Sequence, residues 1–194
     1  MLDGHHAKFP TNERFAYCNG GYVVLALIAE RASGVPFADL IVQRVCVPAG
    51  MHDTAFLRSD ELPGRASVGY LSVDGSRTNV LHLPVVGSGD GGLFSTVADV
   101  HAMWSAMFVG QIVSTDWIAT MVRPRSEAPS EHMRYGLGFW LHESRDLVML
   151  EGYDAGVSFR TVHGPTDGFT HTVISNTSDG AWPLTGRLDE MLLP

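Results

Sequence analysis

The hydrophobic period of this 194-residue chain changes once, and that change restricts the fold more than any single motif. Up to about residue 121, apolar residues recur at i, i+3 and i+4, the spacing of helices with one buried face. From Tyr135 onward they fall in short runs separated by turn residues, the spacing of half-buried strands. Helices followed by a meander of strands with short connections imply an antiparallel sheet flanked by helices. That is an α+β arrangement, and it argues against alternating βαβ units.

The elements can be placed in order. Residues 1–14 are polar and read as an entry loop. The run Val23–Ala29 belongs to a helix from about Gly20 to Ser33, ended by Gly34. It is apolar on nearly every side, so it is expected in the interior. Pro36 sits at the first position of a second helix, stopped at Pro48-Ala49-Gly50. Residues 52–92 are irregular, with strand-like pieces at Ala55–Leu57 and Val68–Ser72, and such a long connection often walls a cleft. Thr96 and Asp99 have capping-box spacing before a helix striped by Val97, Val100, Trp104, Met107 and Phe108. Asp116 is expected to cap a fourth helix that ends before Pro124. Tyr135–Leu141, Leu147–Glu151, Val157–His163 and Thr170–Asn176 read as strands, and Trp182–Leu193 as a closing helix.

Charge and length narrow the functions. A net charge of −8 argues against nucleic acid and anionic membrane surfaces as partners. The chain is long enough for one domain with a core, and 45% hydrophobic with 18% charged residues is globular composition. Its longest apolar run, Val23–Ala29, is too short to span a bilayer. No signal-peptide pattern opens at Met1–His6, which favours the cytoplasm while leaving the compartment open. Cys18 and Cys46 are too few for a disulfide framework, although one bridge between them is allowed.

Several motifs lead nowhere. Gly87-Ser-Gly-Asp-Gly-Gly92 matches G-x-G-x-x-G, with Asp116 downstream, but Pro84 spoils a preceding strand and no βαβ unit follows. The nine histidines show no metal-ligand spacing, so no metal and no cofactor are expected. Gly156-Val-Ser-Phe-Arg160 fails as a nucleophile elbow at its last position.

The stretch Phe15-Ala-Tyr-Cys-Asn-Gly-Gly-Tyr22 is more informative. Tyr17 and Asn19 project from one side of an extended or turn segment at the mouth of the apolar helix. By themselves they read more simply as a buried aromatic and a helix cap. Their context points elsewhere. This stretch, with Glu30–Phe37, Pro48–Thr54, Gly89–Thr96, Tyr135–Phe139 and Gly152–Phe159, resembles the serine β-lactamase and penicillin-binding protein superfamily, its class C-like branch and related esterases above all. The likeness runs in order along nearly the whole chain.

The resemblance implies a β-lactamase/transpeptidase-like fold and three motifs. Ser-x-x-Lys supplies the nucleophile, Tyr-x-Asn a proton relay and a substrate-binding amide, and a Gly-ending strand motif one side of the oxyanion hole. Tyr17-Cys18-Asn19 matches the second motif. Leu150-Glu151-Gly152 falls at the third, so the N–H of Tyr153 is implied as an oxyanion donor, with Glu151, Gly152 and Asp154 lining the substrate. The family's usual Lys/His-Thr/Ser-Gly is thus altered. A Glu disfavours a substrate carboxylate, so an ester, an amide or a cationic substrate is expected over a β-lactam, unless Glu151 faces away from the cleft.

Ser-x-x-Lys is absent, because Lys8 is the single lysine and position 5 is His. Residues 1–194 are therefore expected to form one partial domain, the C-terminal two-thirds of a family member without its leading helix and first strands. Without the lysine, Tyr17 keeps a phenol pKa near about 10 and is a poor base. The chain alone is expected to be inactive. It is also expected to expose the Val23–Ala29 helix and an open sheet edge, surfaces for self-association or a partner chain. The rival reading is a non-catalytic binding or assembly domain, or one half of a split hydrolase.

Overall fold

The computed structural model describes residues 6–11, 13–72 and 74–192. It opens with α1 (Asn19–Ser33), α2 (Phe37–Ile41), a π turn (Val42–Cys46) and α3 (Val47–Ala49). After a long irregular segment come α4 (Val97–Phe108) and α5 (Thr115–Met121). The strands are β1 (Ser126–Ala128), β2 (Met133–Tyr135), β3 (Trp140–His142), β4 (Val148–Asp154), β5 (Val157–His163) and β6 (Thr170–Ser175), and α6 (Trp182–Leu192) closes the chain. The six strands form one antiparallel sheet in the order β1-β2-β3-β4-β5-β6. The expected α+β arrangement is the one observed.

Neighbouring residues of β5 point to opposite faces of the sheet. Thr161 accepts a hydrogen bond from the Trp104 indole of α4 at 2.8 Å, and Arg160 meets Asp189 of α6 at 3.1 Å. The sheet is therefore sandwiched between α4 and α6. The main core lies on the α4 side, where Val100, Trp104, Met107, Ile118, Phe139, Leu141 and Val148 are buried together. Trp104 is fully buried and its ring stacks on His163.

Local chemistry explains the helix boundaries. Gly34 ends α1 in the left-handed conformation at φ 70°. Thr96 caps α4 by accepting from the Asp99 N–H at 3.1 Å. The Asp99 carboxylate does not complete a capping box. It accepts from the Asp53 N–H and the Thr54 hydroxyl instead, tying the irregular segment to α4. Pro48 sits in the last turn of the second helical stretch. It lacks an N–H and crowds the carbonyl four residues back, and the chain widens into the π turn just before it.

Several expectations need correction. Tyr135–Leu141 is not one strand: Gly136 and Phe139 close a tight turn between β2 and β3, with Gly138 at φ 88°. Ala55–Leu57 and Val68–Ser72 make only isolated bridges, Ala55 to Phe94 and Tyr70 to Thr78 and Thr177. Asp116 is not the cap of α5; Ser114 is, and Asp116 lies in the first turn. The buried position expected for α1 is not found, since Ala26 is its one buried residue while Leu25, Leu27 and Ile28 are exposed. That exposure matches the separate expectation of an uncovered apolar helix. Cys18 and Cys46 are both free. Leu193, the expected end of the last helix, and residues 1–5 and 12 of the entry loop lie outside the described residues.

Candidate functional site

Tyr17 sits in the extended segment leading into α1, and Asn19 is the first residue of that helix. Cys18 occupies the cap position and makes no side-chain cap bond, so Asn19 is not the cap that its residue type suggested. Both Tyr17 and Asn19 are exposed. The Tyr17 ring stacks on Trp140 with centroids 6.0 Å apart and an angle of 14°. Phe15 and Tyr135 pack on the same indole. The Tyr22 and Tyr135 hydroxyls meet at 2.7 Å, joining α1 to β2. Phe15, Tyr17, Cys18, Tyr22, Leu25 and Tyr135 line an open pocket of about 280 Å³.

The position of Trp140 connects this aromatic group to β4. Trp140 pairs with Met149, and the pairing of β3 with β4 goes no further. The Leu147 carbonyl accepts from the His142 N–H at 3.0 Å, so the odd-numbered residues of this strand turn their backbone groups toward β3. Glu151 and Tyr153 follow Met149 with the same parity. Their N–H and C=O groups face the side where β3 has already ended and where no strand among the described residues pairs with them. An extended edge of β4 thus lies open beside the residue on which Tyr17 stacks.

The side chains of β4 sort onto two faces. Leu150 packs into the core on the α4 side. Glu151 is turned to the α6 side, where its carboxylate accepts from Arg160 at 2.7 Å. Tyr153 lies on the same side, with its ring edge-on to Trp182 of α6. A Cβ on Gly152 would meet only the Phe159 ring at 4.0 Å, so packing within the chain does not require glycine there. Asp154 ends the strand and folds into the β4–β5 turn, accepting from the Ala155 N–H. Of the residues singled out from the sequence, Tyr17 stacks beside the β4 edge that carries Glu151 and the Tyr153 backbone, and Asn19 lies exposed two residues on, at the start of α1. The Tyr153 ring and Asp154 side chain are engaged elsewhere.

Electrostatics link the same groups. The Tyr17 phenol is pushed above its ordinary value, first by partial desolvation against its neighbours and then by Tyr22, Asp90 and Glu151. Tyr17 is therefore a protonated hydroxyl at neutral pH. Asp90, which sequence reasoning treated only as part of the glycine run, is drawn in by that run. A Cβ on Gly89 would lie 2.3 Å from the Tyr22 carbonyl oxygen, and one on Gly87 2.3 Å from that of Gly91. Gly89 serves close approach to α1, and Gly87 and Gly92 close approach to each other within the turn. Trp140 and Arg160 were also missed. Strand periodicity hinted at the first; the second depends on cross-strand register. Among the described residues, no group of three or more His, Cys, Asp or Glu could hold a metal ion, and no helix is long and apolar enough to cross a membrane.

Comparison with known proteins adds independent findings. The model of the Beta-lactamase family matches residues 1–192. A penicillin-binding protein of Bacillus subtilis is 29% identical over 170 residues, covering 80% of this chain and 38% of the relative. A D-aminopeptidase of Cereibacter sphaeroides is 32% identical over 103 residues, covering 53% of this chain and 19% of the relative. The crystal structure of a penicillin binding protein from Bacillus halodurans superposes with a TM-score of 0.87 at 31% identity, covering 95% of this chain and 59% of that one. The chain thus spans less than two thirds of the length of each.

Proposed function

The chain belongs to the beta-lactamase family of serine hydrolases, and from that premise we propose that it forms the Tyr-x-Asn and strand-edge portion of an acyl-enzyme hydrolase site. In this reading Tyr17 relays the proton of a serine nucleophile and Asn19 holds the substrate amide or ester. The N–H of Tyr153 donates to the oxyanion. The observation that carries it is the stacking of Tyr17 on Trp140, beside which β4 runs on unpaired with its odd-numbered N–H groups facing the open side.

In this reading a serine and a lysine from outside these 194 residues complete the site, since the sequence contains no Ser-x-x-Lys. The raised Tyr17 phenol supports this: it needs a neighbouring cation before it can act as a base near neutral pH. Glu151 is turned to the α6 side and held by Arg160, so the support for an ester or amide without an anchoring carboxylate comes from the absence of the family's Lys/His and Thr/Ser at Leu150 and Glu151. The relative named as a D-aminopeptidase is consistent with amide chemistry.

The purified chain is expected not to turn over a chromogenic ester or a β-lactam. Adding a family segment that bears Ser-x-x-Lys is expected to produce turnover that Tyr17→Phe abolishes. Turnover by the chain alone that survives Tyr17→Phe would overturn this assignment.

A second reading, an assembly or binding domain on the same fold, is favoured by the exposed apolar face of α1. Leu25 and Ile28 are 57% and 56% exposed there. Turnover on adding the nucleophile segment decides for the hydrolase. Stable association with no turnover decides for the binding domain.

A further inference from the structure

Glu151 and Arg160 stand directly opposite each other on β4 and β5. The parity of the ladder makes this a non-hydrogen-bonded pair, the kind that brings cross-strand side chains closest. Both Nε and Nη2 of Arg160 lie 2.7 Å from one Glu151 oxygen. Nη1 reaches Asp189 of α6 at 3.1 Å, and the other Asp189 oxygen accepts from Nε2 of His171 on β6 at 3.1 Å. Glu151 and Arg160 are each 20% exposed, so water screens their interaction little. The network ties the residue that departs from the family motif to β5, β6 and α6 together.

We infer that Arg160 is a positioning residue for the site: it holds the Glu151 carboxylate on the α6 side of β4 and compensates its charge beside Tyr17. The inference rests on β4 being the cleft strand. It explains how an acidic residue is accommodated two residues before Tyr153, where an uncompensated carboxylate would oppose charge developing at the open edge. The groups facing the Tyr17 phenol are Tyr22 on α1, Tyr135 on β2, Asp90 in the glycine-rich turn and Glu151 on β4. Of these, Glu151 is the one that Arg160 binds.

The test needs no turnover, so its outcome is separate from that of the hydrolase reading. A fluorinated tyrosine at position 17 titrates while the fold is intact, and fluorine NMR of the full chain follows it. Arg160→Gln is expected to shift the titration upward and Glu151→Gln downward. Adding Arg160→Gln to Glu151→Gln is expected to produce a smaller upward shift than Arg160→Gln alone, because no carboxylate is then left to be released from the α6 side. An equal shift with and without Glu151, or none in either, overturns the inference. Should Arg160→Gln fail to fold, Arg160→Lys keeps the charge without the two-nitrogen grip. A smaller upward shift, erased by Glu151→Gln, is then expected, and an unmoved titration overturns the inference equally.

Discussion

Helices α1 and α4 are both rich in apolar residues, yet they meet opposite fates. Five of the twelve residues of α4 are buried, among them Trp104 at 0% exposure, whose indole donates to Thr161 on the facing side of the sheet. Of the fifteen residues of α1, Ala26 alone is buried. Apolar composition sets a demand for burial, and only contacts meet it. The α4 side of the sheet meets it with a closed, aromatic core. The α1 side meets it only in part, through the Tyr22–Tyr135 contact, the glycine-rich turn and packing against α2, and leaves an apolar face beside the candidate site. Under the proposed function, stability and the site are therefore carried by different parts of the chain.

Substitutions can break or sharpen that contrast. The largest effect is expected from Trp104→Ala, a loss of about 3–5 kcal/mol in chemical denaturation. A midpoint near that of the unaltered chain would mean that the core on the α4 side does not carry the stability. Gly89→Ala drives a Cβ against the Tyr22 carbonyl and is expected to cost about 1–3 kcal/mol. Gly21→Ala, with nothing within 4 Å of the added Cβ, is expected to be neutral or slightly stabilising. If the two behave alike, the turn does not anchor α1. Thr96→Ala removes the cap of α4 and is expected to cost about 1 kcal/mol, measured the same way. Leu25→Gln with Ile28→Gln is expected to change stability by no more than about 0.5 kcal/mol per residue. The same pair is expected to reduce association of the chain in analytical ultracentrifugation; a large loss of stability instead would mean that this face is packed.

The legible part of the molecule was the part governed by local chemistry. The stripe through Trp104 and the Gly34 stop announced their helices, and the alternation at Val157–His163 announced β5, each within a few residues of sequence. Tyr17 and Asn19 were singled out through their motif, and the structure adds the stacking of Tyr17 on Trp140. Other features were decided by partners distant in sequence. The Tyr135–Leu141 run looked like one strand because its glycines sit among aromatics; the turn between β2 and β3 follows from pairing, not composition. Asp99 had the spacing of a capping box, but Asp53 and Thr54 claimed its carboxylate from 45 or more residues away. Asp90 and Arg160 had no local signal. One is placed by the fit of Gly89 against α1 and the other by the register of β4 on β5.

The strict succession of the sheet, each strand paired with its neighbours in the chain, has a kinetic side. Every strand pairing closes over a short loop, so little chain entropy is lost before the contact forms. Contacts of low sequence separation form fast. The indole of Trp104 must instead find Thr161 from 57 residues away. The slow event in folding is then expected to be the docking of a preformed helix on a preformed meander, and Trp104 fluorescence is the natural clock for it.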